Sequence, residues 1–236
     1  MKMLEEILKT GFAELGLSLD EGALARYRTY YTELDEVNRV MNLTAITGEA
    51  DSARLHFLDC AAVLTVAGLD GKRAIDVGTG AGFPGLALKI ACPGLDLTLL
   101  DSLDKRIGFL KNTCTKLGFD DVNCIHARAE EAPVELRESF DFALSRAVAR
   151  LNLLAELCLP FVKQGGAFIA MKGPDCNDEL KEAGRAIATL GGKVESCVSY
   201  TIPGTEVTHS LVIVRKVKPT PAKYPRRWAQ IKKAPL

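Results

Sequence analysis

The chain has 236 residues, 47% of them apolar and 25% charged, with 30 basic residues balanced by 30 acidic ones. A chain of this length buries roughly 70–75% of the surface its unfolded form exposes, so an ordinary globular protein fits and a mainly disordered or collagen-like one is excluded. Bulk charge gives no sign of a polyanionic partner, and the distribution of charge has to be read instead.

Lys2, Glu5, Glu6 and Lys9 break up the opening segment, where a signal peptide needs an unbroken apolar stretch. No apolar run approaches the ~18 residues of a membrane-spanning helix. The seven cysteines form no C-x-x-C pair and lie mostly in apolar segments. They read as reduced core residues of a cytoplasmic protein. The histidines, at 56, 126 and 209, are scattered, so no metal site is expected.

The first ~70 residues read as helical. Leu4, Ile7, Leu8, Phe12 and Leu15 recur at three-to-four spacing, as do Leu24, Tyr27, Tyr30, Tyr31, Leu34 and Val37, and Asp20 is placed to cap the second helix. Asn42 to Gly48 reads as a loop, and a third helix follows through His56, Leu58 and Leu64. From residue 71 short apolar runs alternate with helical stretches. Strands are expected at Ala74–Val77, Leu95–Leu100, Val122–Ala127, Phe140–Leu144 and Ala167–Lys172. Helices are expected to Ala91 and over Lys105–Leu117, Leu151–Val162 and Leu180–Leu190. Such alternation means a parallel sheet covered on both faces. Lys193–Thr201 and Ser210–Val217 are two further strands with only eight residues between them, too few for a parallel crossover, so they are antiparallel or lie in different sheets. A doubly wound sheet ending in an antiparallel hairpin is the architecture of sulfonium-dependent methyltransferases. Three units are expected: an N-terminal helical extension, 1–70, packed on the core; a central domain, 71–217; and a basic tail, 218–236.

The stretch Asp76-Val77-Gly78-Thr79-Gly80-Ala81-Gly82-Phe83-Pro84-Gly85 follows the first strand. Its alternate glycines let the backbone turn tightly and approach a ligand. Phe83 occupies the place where a pyrophosphate fingerprint starting at Gly78 needs glycine. Asp101 ends the second strand, where a carboxylate can accept hydrogen bonds from both hydroxyls of a ribose. That identifies an adenosine-type ligand without choosing between an adenosyl sulfonium and a dinucleotide. Ala129 and Glu130, after the third strand, stand where an adenine ring would be edged. Arg146 and Lys172, at the ends of the fourth and fifth strands, bring two cations to the same rim, and Arg146 suits a phosphate, a carboxylate or a flat ring. No Asn/Asp-Pro-Pro-Tyr/Phe motif and no Pro-Cys follows the fourth strand, so the methyl acceptor is expected to be an atom that needs no activation.

From Arg215 to Leu236 there are eight basic residues and no acidic one, with Tyr224 and Trp228 interleaved. Residues 1–50 carry nine acidic against five basic residues, so overall neutrality conceals an asymmetry. A basic run with aromatics suits phosphate contact and base stacking.

Together these segments resemble the ribosomal RNA small subunit methyltransferase G family, also called the glucose-inhibited division protein B family. The resemblance rests on Met41–Ile46, His56-Phe57-Leu58-Asp59, the glycine stretch, Asp101-Ser102-Leu103-Asp104-Lys105-Arg106, Ser145-Arg146-Ala147 and Lys172-Gly173. It implies a Rossmann-like class I S-adenosylmethionine-dependent methyltransferase, α/β, with a mostly parallel seven-stranded sheet behind an N-terminal helical segment. It further implies methyl transfer to N7 of one guanine of 16S ribosomal RNA (position 527 in the customary numbering of that RNA), within the small subunit or its precursor. Pocket residues implied are Gly78, Phe83, Ala129, Glu130 and Arg146, beside Gly80 and Asp101 from the residues themselves. Guanine N7 has a free in-plane lone pair, so no general base is expected, and Arg146 and His56 are candidates to orient the base. RNA contacts are expected from Lys105, Arg106, Lys172, Arg226, Arg227, Lys232 and Lys233. Ala229 and Ile231 depart from the family, whose tails usually carry Gly and Pro between the basic residues. The alternatives are a non-catalytic RNA-binding assembly factor on this fold and, with less behind it, an NAD-dependent dehydrogenase.

Overall fold

The computed structural model describes residues 3–146 and 149–236. Lys2 and Ala147, both named above, lie outside the described residues.

Helix α1 spans Met3–Glu14 and α2 spans Glu21–Met41. Asp20 caps α2 by accepting the Ala23 N–H at 2.6 Å, which satisfies one of the donors left free in a helix's first turn. The helix stops at Asn42, which adopts a left-handed conformation. One face of α2 buries Leu24, Tyr27, Tyr30 and Leu34, the three-to-four spacing expected. The expected third helix is irregular. Its α-turn Glu49–Asp51 passes into a π-helical stretch, Ser52–Leu58, then an α-turn Asp59–Ala61 and a 3₁₀ turn Ala62–Thr65. We label residues 49–65 together α3.

The sheet strands are β1 (Arg73–Val77), β2 (Asp96–Asp101), β3 (Asn123–His126), β4 (Phe140–Arg146), β5 (Val162–Lys172), β6 (Gly192–Thr201) and β7 (Thr208–Lys216). Their spatial order is β3-β2-β1-β4-β5-β7-β6. The β1–β5 neighbours pair in parallel, whereas β7 runs antiparallel between β5 and β6. Helices α4 (Gly85–Ala91), α5 (Asp104–Leu117), α6 (Leu151–Cys158) and α7 (Asn177–Thr189) connect the strands. Two hydrophobic clusters cover the two faces, which is why the β5 run Ala167–Met171 is apolar at every residue rather than alternating.

One boundary needs correction. The helix expected to run to Val162 ends at Cys158. A 3₁₀ turn carrying Pro160 follows, and β5 already begins at Val162. The expected start at Ala167 is late because the register shifts inside the strand, with Gly165 at φ 86°.

The basic C-terminal segment, 218–236, is folded onto the domain. Tyr224 and Ile231 are buried in the cluster on the α6 face. The guanidinium of Arg226 donates to both carboxylate oxygens of Glu156, at 2.8 and 2.6 Å, and Glu156 is fully buried. Arg137 binds the carbonyls of Thr220 and Tyr224. Residues Trp228–Lys233 form a last helix, α8, and Ile231, fully buried, is the side chain that anchors it.

Candidate active site

A cleft of about 690 Å³ opens at the carboxyl ends of the parallel strands, beside the reversal of strand order between β1 and β4. That is where open α/β sheets bind ligands, and its volume suits a small organic molecule.

One side of the cleft is built from main chain. After β1 the loop is held by Asp76, whose carboxylate accepts the Thr79 hydroxyl at 2.7 Å and the Gly85 N–H at 2.8 Å. Burial pushes the Asp76 carboxyl up to about 6. The hydroxyl of Tyr30, on α2, donates to the carbonyl of Ala81. Gly82 has φ 102°, and a Cβ there would fall 2.5 Å from the Tyr30 hydroxyl, so this position admits glycine alone. Asp101 at the end of β2 accepts the N–H of Gly80 and of Leu103, each at 2.9 Å, and pairs with Arg106 at 3.3 Å. It is 3% exposed, and it borders the cleft with Gly78, Thr79 and Gly80.

The other side is built from side chains. The Phe83 ring stacks on His56 with centroids 4.2 Å apart, and the Arg146 guanidinium lies 4.7 Å from the same ring. Arg146 Nη2 donates to His56 Nδ1 at 2.9 Å. The His56 proton therefore sits on Nε2, 2.9 Å from the Thr44 hydroxyl. Burial, with the Arg146 charge, pushes His56 down to about 3, so it is neutral at physiological pH. Arg146 Nη1 donates to the Leu55 carbonyl and to Asp59 Oδ2, both at 3.1 Å. The other oxygen of Asp59 accepts the Tyr200 hydroxyl at 2.7 Å and meets His209 Nδ1 at 2.8 Å. Burial acts to raise the Asp59 carboxyl, but the His209 hydrogen bond and the Arg146 charge hold it below the ordinary carboxylate range. His209 is raised by its bond to Asp59.

Of the residues expected at the site, the cleft brings together Gly78, Gly80, Phe83, Asp101, Arg106, Arg146, Lys172 and His56. Lys172 Nζ bonds the Ala149 carbonyl and pairs with Glu179 at 2.7 Å. Ala129 and Glu130 do not border the cleft, and the Glu130 carboxylate accepts the Trp228 N–H at 3.3 Å. Lys105, Arg227, Lys232 and Lys233 are exposed. Arg226 is not, since its guanidinium is engaged by Glu156. Sequence reasoning missed Asp59, Tyr200 and His209. A signal was present for two of them: Tyr200 and His209 are directly paired across the terminal hairpin, so their side chains share one face.

Residues 23–208 match the model of the family described as rRNA small subunit methyltransferase G. A protein of that name from Alkaliphilus metalliredigens is 48% identical over 98% of both chains. Another, from Lactobacillus johnsonii, is 44% identical over 99% of this chain and all of its own. The chain belongs to this family. Its methyl donor is S-adenosylmethionine, which removes the dehydrogenase alternative. Among solved structures, the 16S rRNA (adenine(1408)-N(1))-methyltransferase of Catenulisporales acidiphilia matches with TM-score 0.55 and 16% identity, over 64% of this chain and 88% of that one. A geranyl diphosphate C-methyltransferase from Streptomyces coelicolor, solved with S-adenosyl-L-homocysteine, matches with TM-score 0.50 and 15% identity, over 64% and 74%. These likenesses show the class I methyltransferase fold. The main-chain side of the cleft fits the methyl donor: Gly80 leaves the space beyond its Cα open, and the buried Asp101 carboxylate stands beside it. Among the described residues no helix is long and apolar enough to cross a membrane, and no cluster of three or more His, Cys, Asp or Glu side chains is placed to hold a metal ion.

Proposed function

We propose that this family member methylates N7 of a single guanine of 16S ribosomal RNA, in the small subunit or its precursor, in the cytoplasm. The observation that carries the reading is the locked state of the side chains around Phe83. His56 is neutral with both nitrogens engaged, and Arg146 is held by three partners. Neither is free to take a proton, and guanine N7 has none to give up. The task left to the protein is placement of the nucleophile in line and ~3–3.5 Å from the methyl group.

S-adenosylmethionine supplies an electrophilic methyl group on a sulfonium. Asp101 is the residue to accept its ribose hydroxyls, and the Gly78–Gly80 backbone the surface for its amino-acid end. The Phe83–His56–Arg146 stack forms a flat, rigid floor, and His56 and Arg146 position the base through it. RNA phosphates are met by Lys105 on one flank and by Arg227, Lys232 and Lys233 on the other. The Trp228 N–H bond to Glu130, just beyond β3, supports the second flank, because it holds the start of α8 on the side of the sheet where β3 ends.

Mass mapping of methylated nucleotides, after incubation with unmodified small subunits, tests the reading. One 7-methylguanine in the 16S RNA is expected. A product on any other atom overturns the assignment.

A further inference from the structure

We infer that His209 reads the target base: its Nε2–H donates to O6 of the guanine whose N7 takes the methyl group, and so separates guanine from adenine. The inference rests on the proposed function and adds a specificity residue to it.

The register Lys172↔Ser210 puts His209 just past the carboxyl end of β5, on the side-chain half of the cleft that it lines. Its side chain is 31% exposed, whereas the Asp59 carboxylate that holds Nδ1 at 2.8 Å is 2% exposed. Tyr200 packs edge-on against the imidazole, with centroids 6.2 Å apart, and shares the same Asp59 oxygen. One nitrogen is thus anchored and the ring fixed, while among the described residues no hydrogen bond reaches Nε2. The neighbouring donors are committed. Both His56 nitrogens are engaged, Lys172 Nζ lies between Ala149 and Glu179, and three N–H groups of Arg146 are taken. Arg146 keeps its Nε and one Nη2 hydrogen, which makes it the rival donor.

Base chemistry assigns the contact. On the edge that carries N7, guanine offers a second acceptor, O6, whereas adenine offers an amino donor. With N7 aimed at the methyl group, the adjacent atom must meet the protein. A donor there bonds O6 and opposes an amino group. The charged and titratable groups around His209 are Asp59 on α3, Arg146 on β4 and Tyr200 on β6, with His56, Lys172 and Glu179 lining the same cleft. Asp59 favours the imidazolium, and Arg146 acts against it. When the imidazolium loses its proton, Nδ1–H stays on Asp59 and Nε2 becomes an acceptor facing O6.

The test uses RNA carrying the target loop with either guanine or 2-aminopurine, which keeps N7 and lacks O6, at the methylated position. Wild-type kcat/KM is expected to fall about tenfold on the 2-aminopurine RNA, the size of one lost charge-assisted hydrogen bond. His209→Asn keeps a donor for Asp59 but does not reach the base. It is expected to lose about tenfold on guanine RNA and nothing further on 2-aminopurine RNA, both assayed at a temperature where circular dichroism shows the variant fully folded. His209→Gln places an amide N–H near the Nε2 position. It is expected to recover guanine activity and to abolish the wild-type fall of kcat/KM with rising pH. Equal losses on both RNAs in His209→Asn would show a merely structural role and overturn the inference. So would loss of the guanine preference in Arg146→Lys alone. A wild-type product away from N7 overturns the proposed function as well, whereas N7 methylation without a His209 effect overturns only this inference.

Discussion

The two halves of the cleft are made of different material. The cofactor half is main chain from two short runs, residues 78–83 and 101–106, shaped by one buried carboxylate each. The acceptor half is side chains drawn from α3, β4 and the terminal hairpin, with Asp59 and His209 150 residues apart. A loop of backbone donors tolerates change wherever no Cβ intrudes. A buried charge network fails when any member leaves its partners unpaired. The difference predicts where the protein breaks.

The largest effect is expected at Asp59. Asp59→Ala leaves Arg146, with a side chain 15% exposed, facing no counter-charge, and is expected to cost about 3–5 kcal/mol of stability. Urea unfolding measures it, and a loss under about 1 kcal/mol would show that the acceptor half is no network. The two histidines next give opposite pH signatures. His56 resists protonation down to about 3 in the folded chain, while the unfolded chain takes a proton near 6.5. Stability therefore falls as pH drops below 6.5, by about 2 kcal/mol at pH 5. His209 is raised, so its contribution is full below 6.5 and is lost as pH rises through the folded value. Urea midpoints across pH should lose the acid slope in His56→Gln and the alkaline one in His209→Gln.

In the cofactor half, Asp101→Ala is expected to weaken S-adenosylmethionine binding by about 1–2 kcal/mol, with the RNA dissociation constant unchanged. Calorimetric titration giving wild-type affinity in a folded variant would remove the ribose assignment. The smallest effect belongs to the exposed cations. Lys105→Ala, or Lys232→Ala with Lys233→Ala, should flatten the salt dependence of RNA binding by roughly 0.7 per lost contact and leave stability alone. An unchanged slope would exclude those flanks from the RNA path.

The same contrast explains what could be read from sequence. Strands announced themselves by apolar runs, and Gly78 to Gly85 carries its conformation in its own residues. The eight-residue link ruled out a parallel pairing of the last two strands, and they pair antiparallel in one sheet. For Asp59, Tyr200 and His209 the local pattern hints at no more than a shared face, because their roles exist only after β7 has been laid against β5. Asp59 and His56 lie three residues apart in a helical segment, which hints at a shared face, but the π-helical winding of 52–58 is invisible to any 3.6-residue pattern. The tail misled for the opposite reason. Its charges are conspicuous, while Arg226 serves the buried Glu156, and Lys218, Lys223, Arg227, Lys232 and Lys233 remain outward.

The position of β7 also governs how the protein is born. A ribosome delivers β6 first, yet β6 reaches the sheet only through β7. Until residue 216 has emerged, the apolar edge of β5 has no neighbour, and Asp59 waits for two of its three side-chain partners. An unfinished chain therefore presents an open strand edge of the kind that invites association with other chains. The last strand made closes both the sheet and the acceptor half of the cleft, so a nascent fragment is exposed to aggregation for as long as it is inactive.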